Sequence, residues 1–237
     1  MPRVSLFVTC IVDQVFPQVG LAMAGVLDRA GCEIEFREAQ TCCGQPAFNS
    51  GYRREARTVA EYFLQVFEDA DYIVVPSGSC ASMIAHHYAE LFDAGDTRIA
   101  GLASRVWEFS RFLVDVLHVE DVGARLERVA TYHDGCHALR EMRTKEAPRR
   151  LLEHVRGLRL AEMDAAEECC GFGGTFSVKF PEVSGGMART KIDSILRSGA
   201  EIVVSTDSSC LMQIQGVLSR AGTRVRTMHL AEVLDSR

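Results

Sequence analysis

The 237-residue sequence has nine cysteines but no Cys-x-x-Cys at any position. The paired-ligand spacing typical of a single zinc ion is therefore missing. No run of about 18 apolar residues occurs, so no membrane-spanning helix is expected. The opening "MPRVSLFVTCIVDQVF" has no apolar stretch ahead of a small-residue cleavage site, so no secretory signal is expected either. There is no Walker P-loop, and "GFGG" at 171–174 does not complete G-x-G-x-x-G, which argues against a nucleotide site. Positive charge is in deficit. With 26 Lys and Arg against 32 Asp and Glu, the net charge of −6 gives no general attraction to nucleic acid or to an anionic membrane. The basic stretch "RTKEAPRRLLEHVRGLRL" is accordingly expected to be the solvated face of an amphipathic helix.

What remains is an ordinary globular composition, 47% hydrophobic and 24% charged, in a chain long enough for one large or two small domains. The expected compartment is the cytoplasm, where thiols stay reduced and disulfide staples are rare. Nine cysteines there call for metal or redox chemistry.

The cysteines follow a pattern. From Cys10 to Cys42 is 32 residues, and from Cys136 to Cys169 is 33; from Cys43 to Cys80 is 37, and from Cys170 to Cys210 is 40. The middle of each set is a Cys-Cys-Gly triplet, Cys42-Cys43-Gly44 and Cys169-Cys170-Gly171, and "ADYIVVPSGSCASMI" matches "AEIVVSTDSSCLMQI". Eight cysteines thus form two foursomes in two tandem repeats, residues 1–122 and 123–237. Cys32 is left over and reads as a small buried hydrophobe.

"VSLFVTC", "YIVVP", "VATYH" and "IVVST" read as short buried strands. Helical patterns cover 16–30, 52–69 and 80–91, then 144–156, 181–198 and 209–220. The apolar "PQVGLAMAGVL" in the first of these reads as a core face. Strands alternating with helices mean an α/β fold of two pseudo-repeated βαβ halves, each with a parallel sheet flanked by helices. Ligands of such sheets bind beyond the strand carboxyl ends. Cys10, Cys80, Cys136 and Cys210 all fall there, and the Cys-Cys-Gly loops can fold over the same edge, which implies two rims of four thiols.

Helix starts also bear on the thiols. Ser77 or Ser79 is expected to cap the helix carrying Cys80, and Asp207 or Ser208 the one carrying Cys210. First-turn cysteines there are expected to favour thiolate, the metal-binding form. Gly44 and Gly171 remove a β-carbon where the backbone turns sharply or meets a bulky object. Adjacent α-carbons lie about 3.8 Å apart, which crowds two ligands of a single tetrahedral ion. Neighbouring thiolates suit an iron–sulfur cluster, whose several metal atoms lie side by side. Zinc in one half and a strained vicinal disulfide are the other possibilities.

These motifs resemble the cysteine-rich CCG domain found in heterodisulfide reductases and in the iron–sulfur subunits of glycolate oxidase. "CCGQPAFNSGY", "PSGSCASM", "CCGFGGTFSVK" and "DSSCLMQIQG" are most similar to the lactate utilization protein A family. The resemblance runs the length of the chain and implies bound [4Fe–4S] clusters, one per repeat, with Cys10, Cys42, Cys43, Cys80, Cys136, Cys169, Cys170 and Cys210 as ligands. The fuller family motif ends in Cys-x-x-Cys and supplies five thiolates; here Met83 and Gln213 stand at the last position, leaving four per half. Four thiolates suffice for such a cluster.

His133 and His137, flanking Cys136, are expected beside the metal, more usually in support than as ligands. His86, His87 and His118 are expected on helices, at the surface or satisfied in the core. Gly44 and Gly171 are expected to support the cluster loops. The resemblance implies an iron–sulfur electron-transfer subunit of a lactate-oxidising system, acting beside other iron–sulfur and accessory subunits. A zinc-stabilised scaffold and a thiol–disulfide oxidoreductase are the alternatives.

Overall fold

Along the strands, side chains point alternately to two faces, and both faces are buried. Val4 and Leu6 of β1 (Arg3–Leu6) and Val74 of β3 (Tyr72–Val75) point to one core, while Phe7, Ile73 and Val75 point to another. This period of two places helices on both faces of the sheet. The computed structural model describes residues 1–237.

The first half continues as α1 (Cys10–Val15), α2 (Pro17–Arg29), β2 (Glu33–Phe36), α3 (Gln45–Asn49), α4 (Arg53–Val66), then β3 and α5 (Gly78–Ser82). A π turn over Met83–His87 and a 3₁₀ turn over Tyr88–Glu90 extend α5. Next come α6 (Thr97–Ala103), β4 (Val106–Glu108) and α7 (Phe109–Arg111), the last continued by a π turn over Phe112–Val116. The second half runs β5 (Val129–Tyr132), α8 (Cys136–Arg140), α9 (Glu146–Glu153), β6 (Arg159–Leu160), α10 (Thr175–Lys179), α11 (Pro181–Arg197), β7 (Ile202–Ser205), α12 (Ser208–Arg220), β8 (Arg226–His229) and α13 (Leu230–Asp235).

Each half holds a four-stranded, all-parallel sheet, in the orders β2-β1-β3-β4 and β6-β5-β7-β8. The chain is therefore an α/β protein of two matched βαβ halves. The six helical patterns read from the sequence fall on α2, α4, α5, α9, α11 and α12. One needs correction: 80–91 is not a continuous α-helix but passes through the π and 3₁₀ turns. The edge strands β4, β6 and β8, of two to four residues each, and the short helices are additions.

One core of 27 buried residues joins the halves. It takes Val4, Leu6 and Val74 from the first sheet and Ala130, Tyr132, Ile202 and Val204 from the second. α2, with Val19, Met23, Val26 and Leu27 buried, lies in this layer as its apolar pattern implies. α13 packs on α2, where Arg29 pairs with Asp235 at 2.6 Å. α7 and its π turn pack on α9. Each half thus lends its last helical segment to the other, and the strand carboxyl ends of both sheets come to one side of the molecule.

Candidate metal centre

Beside the strand ends, the halves meet where α5 abuts α8. A β-carbon on Gly78 would lie 2.3 Å from Ala138 Cβ, so only glycine permits that approach. Asp207, just ahead of α12, does not cap its own helix as the sequence suggests. Its carboxylate reaches across the seam and accepts from Ser77 Oγ (2.8 Å), Ser79 Oγ (3.0 Å) and the Ser79 N–H (3.2 Å). Ser77 does cap α5, accepting from the Cys80 N–H at 3.2 Å.

This seam forms the wall of a cavity of about 150 Å³ whose lining includes all eight cysteines of the two foursomes. The sequence suggests two separate rims. Instead the rims face one another across a single cavity, because the exchange of helices turns both sets of strand ends to the same side. Within the first foursome, Cys10 and Cys42 Sγ are 3.8 Å apart and Cys43 and Cys80 Sγ 3.3 Å. In the second, the Cys170 and Cys210 sulfurs lie within 4.8 Å of one another, and Cys136 and Cys169 share the same lining. No cysteine is in a disulfide, and Cys32 is buried in the shared core, away from the cavity lining.

The thiols are not alike in acidity. The Cys10 thiol, then the Cys43 thiol and the Gly44 N–H (3.4 Å), donate toward Cys42 and pull its pKa down to about 3, against the effect of burial. The Cys136 and Cys170 thiols and the Gly171 N–H (3.3 Å) do the same for Cys169, down to about 2. Cys10, Cys43, Cys136 and Cys170 are pushed up, by hydrogen bonding to the neighbouring sulfur and by burial. The first cysteine of each adjacent pair thus favours the thiolate, chiefly through the thiols that donate to it and less through the glycine N–H after it, and the other protons are those a cation would displace.

Both glycines have left-handed backbones, with φ of +83° at Gly44 and +84° at Gly171. At Gly171 a β-carbon would also lie 2.5 Å from Ser184 O. Beyond it, Gly173 (φ +52°) and Gly174 (φ +61°) bend the loop onto the cavity, and Thr175 Oγ1 lies 3.2 Å from Ser50 Oγ of the first half.

His133 is fully buried, and neither ring nitrogen has a hydrogen-bond partner. A ring nitrogen of His133 and the sulfurs of Cys170 and Cys210 all lie within 4.8 Å of one another. Burial, reinforced by the nearby Lys191 ammonium, lowers its pKa to about 3, so the ring is neutral and keeps a lone pair. His137 lines the cavity; its Nδ1 lies 3.2 Å from Glu141 Oε2, which is also 3.0 Å from His87 Nε2 and accepts from Ser82 Oγ. His118 is not on a helix, since it follows the π turn at φ 56°, a left-handed backbone that ends the helical run.

Sequence reasoning missed two charged side chains, one buried and one half-buried. Lys191 is completely buried within α11, donating to the carbonyls of Ala165 and Ala166, and its signal was a lysine on an apolar helix face. Arg149 holds the loop before Cys136 through a two-pronged pair with Asp134, both contacts at 2.9 Å.

The model of the CCG cysteine-rich domain matches this chain twice, over residues 4–85 and 130–215. The two matches coincide with the two foursomes up to Cys80 and Cys210. The chain belongs to the CCG cysteine-rich family. It is 48% identical to a lactate utilization protein A of Geobacillus kaustophilus over 238 residues, covering 99% of both chains. It is 48% identical to that of Bacillus cytotoxicus and 49% identical to that of Geobacillus thermodenitrificans, with the same coverage. A solved structure of a hypothetical protein from Helicobacter pylori shares the fold at a TM-score of 0.65 and 12% identity, over 98% of this chain and 48% of that one. No helix of this CCG protein is long and apolar enough to cross a membrane.

The residues present fit a thiolate-held metal group. Eight sulfurs of two repeats converge, two of them favoured as thiolates by neighbouring thiols and a backbone N–H, and a buried imidazole beside them has no partner in the protein.

Proposed function

We propose that this chain is an iron–sulfur redox subunit of an L-lactate oxidation system that converts lactate to pyruvate in the cytoplasm. Cys10, Cys42, Cys43 and Cys80 hold one [4Fe–4S]-type cluster, and Cys136, Cys169, Cys170 and Cys210 hold a second. The observation that carries this reading is the convergence of both foursomes on one cavity. The names of the relatives, lactate utilization protein A, support the substrate class.

When bound, each cluster supplies one-electron redox chemistry, so two in one chain match the two electrons that leave lactate. The protein's own groups set the conditions. Gly44 and Gly171 N–H groups hold the first thiolate of each pair, and Ser77 anchors the helix start at Cys80. The cavity lining contains no arginine or lysine, hence no fork for a lactate carboxylate. We therefore place lactate on another subunit of the system, with this chain passing electrons among iron–sulfur and accessory partners.

A zinc-stabilised scaffold is the second reading, favoured by the mixed nitrogen and sulfur donors His133, Cys170 and Cys210. Single-cysteine variants purified without oxygen separate the two. Cys42→Ser and Cys169→Ser are each expected to lose about half of the iron and acid-labile sulfide, and Cys32→Ser none. Stoichiometric zinc in place of iron would establish the scaffold.

A further inference from the structure

The second foursome differs from the first at two buried positions. The Phe7 N–H donates to Val74 O at 3.0 Å and the His133 N–H to Val204 O at 2.8 Å, so these residues occupy one position of the repeat, just past β1 and β5. On the covering helices, the buried set Ala56, Ala60, Phe63 and Leu64 of α4 has the same spacing as Ser184, Ala188, Lys191 and Ile192 of α11. Phe63 therefore corresponds to Lys191. In the first half Phe7 and Phe63 meet edge to face at 4.9 Å, closing an apolar floor. In the second, a histidine and a lysine take their places.

Packing does not explain the histidine. Phenylalanine fills the matching position, whereas a buried histidine leaves two ring nitrogens without partners, at a cost in stability. Nor does Gln213, which stands where the fuller motif has a fifth cysteine, face the metal site. Its Nε2 donates to Ser184 Oγ at 3.0 Å, and Ser184 Oγ donates to Gly171 O at 2.7 Å, so it braces the Cys-Cys-Gly turn.

We propose that His133 is a nitrogen ligand of the metal centre held by the second foursome, making that centre mixed nitrogen–sulfur while the first is sulfur only. This rests on the iron–sulfur reading above. The imidazole adds a neutral donor where the first half has Phe7, and the Lys191 ammonium, where the first half has Phe63, favours the more negative reduced state, so the second centre is the easier of the two to reduce. Electrons entering the chain then come to rest on the Cys136–Cys210 side.

The test is pulsed electron paramagnetic resonance on the full-length chain, purified without oxygen and stepwise reduced, with and without ¹⁵N-histidine labelling. The centre that reduces first should show a nitrogen coupling that changes with the label. His133→Phe, which installs the residue of the first half, should abolish the coupling while the iron and sulfide content stays. His137→Gln should leave it in place. The wild-type measurement stands even where a variant folds poorly. Iron–sulfur signals with no histidine coupling, or a coupling lost in His137→Gln but kept in His133→Phe, would overturn the assignment. Absence of iron and sulfide from the wild type would instead overturn the reading it rests on.

Discussion

Gly44 and Gly171 look interchangeable in the sequence, yet the space around them differs. A methyl group on Gly44 meets Val59 Cγ1 at 3.4 Å, an ordinary contact, while on Gly171 it strikes Ser184 O at 2.5 Å. Gly44→Ala should therefore cost little more than its left-handed backbone, about 1–2 kcal/mol. Gly171→Ala must also push the Cys-Cys-Gly turn off α11 and should lose the metal of the second foursome while the first keeps its own. Metal content of the two purified variants checks this, and equal losses would contradict it. The triplet itself was legible because two adjacent cysteines with a glycine, twice over, have little other use. The difference in crowding was not, because it depends on how closely α11 approaches.

Glu108 is a second case at this scale. Its buried carboxylate accepts from the backbone N–H groups of Ser110 (3.0 Å) and Arg111 (3.2 Å), but burial outweighs these bonds and raises its pKa to about 7. The folded chain holds this proton between about pH 4.5 and 7, where the unfolded chain has released it. Folding stability contributed by the group is therefore full at the acid end and falls as pH rises through that window, by on the order of 3 kcal/mol. Urea midpoints across that window should show the slope in the wild type and lose it in Glu108→Gln; an unchanged slope would remove Glu108 from the account.

Among the elements, α9 is the one that aims the second foursome. Arg149 on α9 is 13% exposed and Asp134 2%, and their paired contacts fix the loop between His133 and Cys136 from behind. Leaving Asp134 unpaired by Arg149→Met should cost about 3 kcal/mol and loosen Cys136 first. The checks are the thermal midpoint and the rate of metal loss to a chelator. A variant that keeps its metal at the wild-type rate would show that the loop holds itself. The long helices could be read from sequence because their apolar faces run over several turns. The edge strands β6 and β8 could not, since Arg159–Leu160 is two residues long and Arg226–His229 is mostly polar, and both form only through pairing with neighbours. Cross-seam contacts such as Asp207 with Ser77 and Ser79 depend on tertiary placement, and local capping preference points them elsewhere.

For the molecule as a whole, the repeat was visible in the spacing of cysteines, but the way the halves join was not. Residues 1–122 and 123–237 are our proposed repeat units, and the shared core with the exchange of α13 and α7 ties them together. Unfolding is expected in one transition, with the fluorescence of Trp107 in the first half tracking the circular dichroism of both. Separate transitions would mean that the halves hold independently. The single cavity follows from the same joining, and it gives the account its central claim that both foursomes grip iron–sulfur clusters side by side. Quantifying iron, acid-labile sulfide and zinc per chain, in protein purified without oxygen, tests that claim most directly. The expected result is a brown protein with about two clusters' worth of iron and sulfide and little zinc; a colourless protein carrying zinc would contradict the claim.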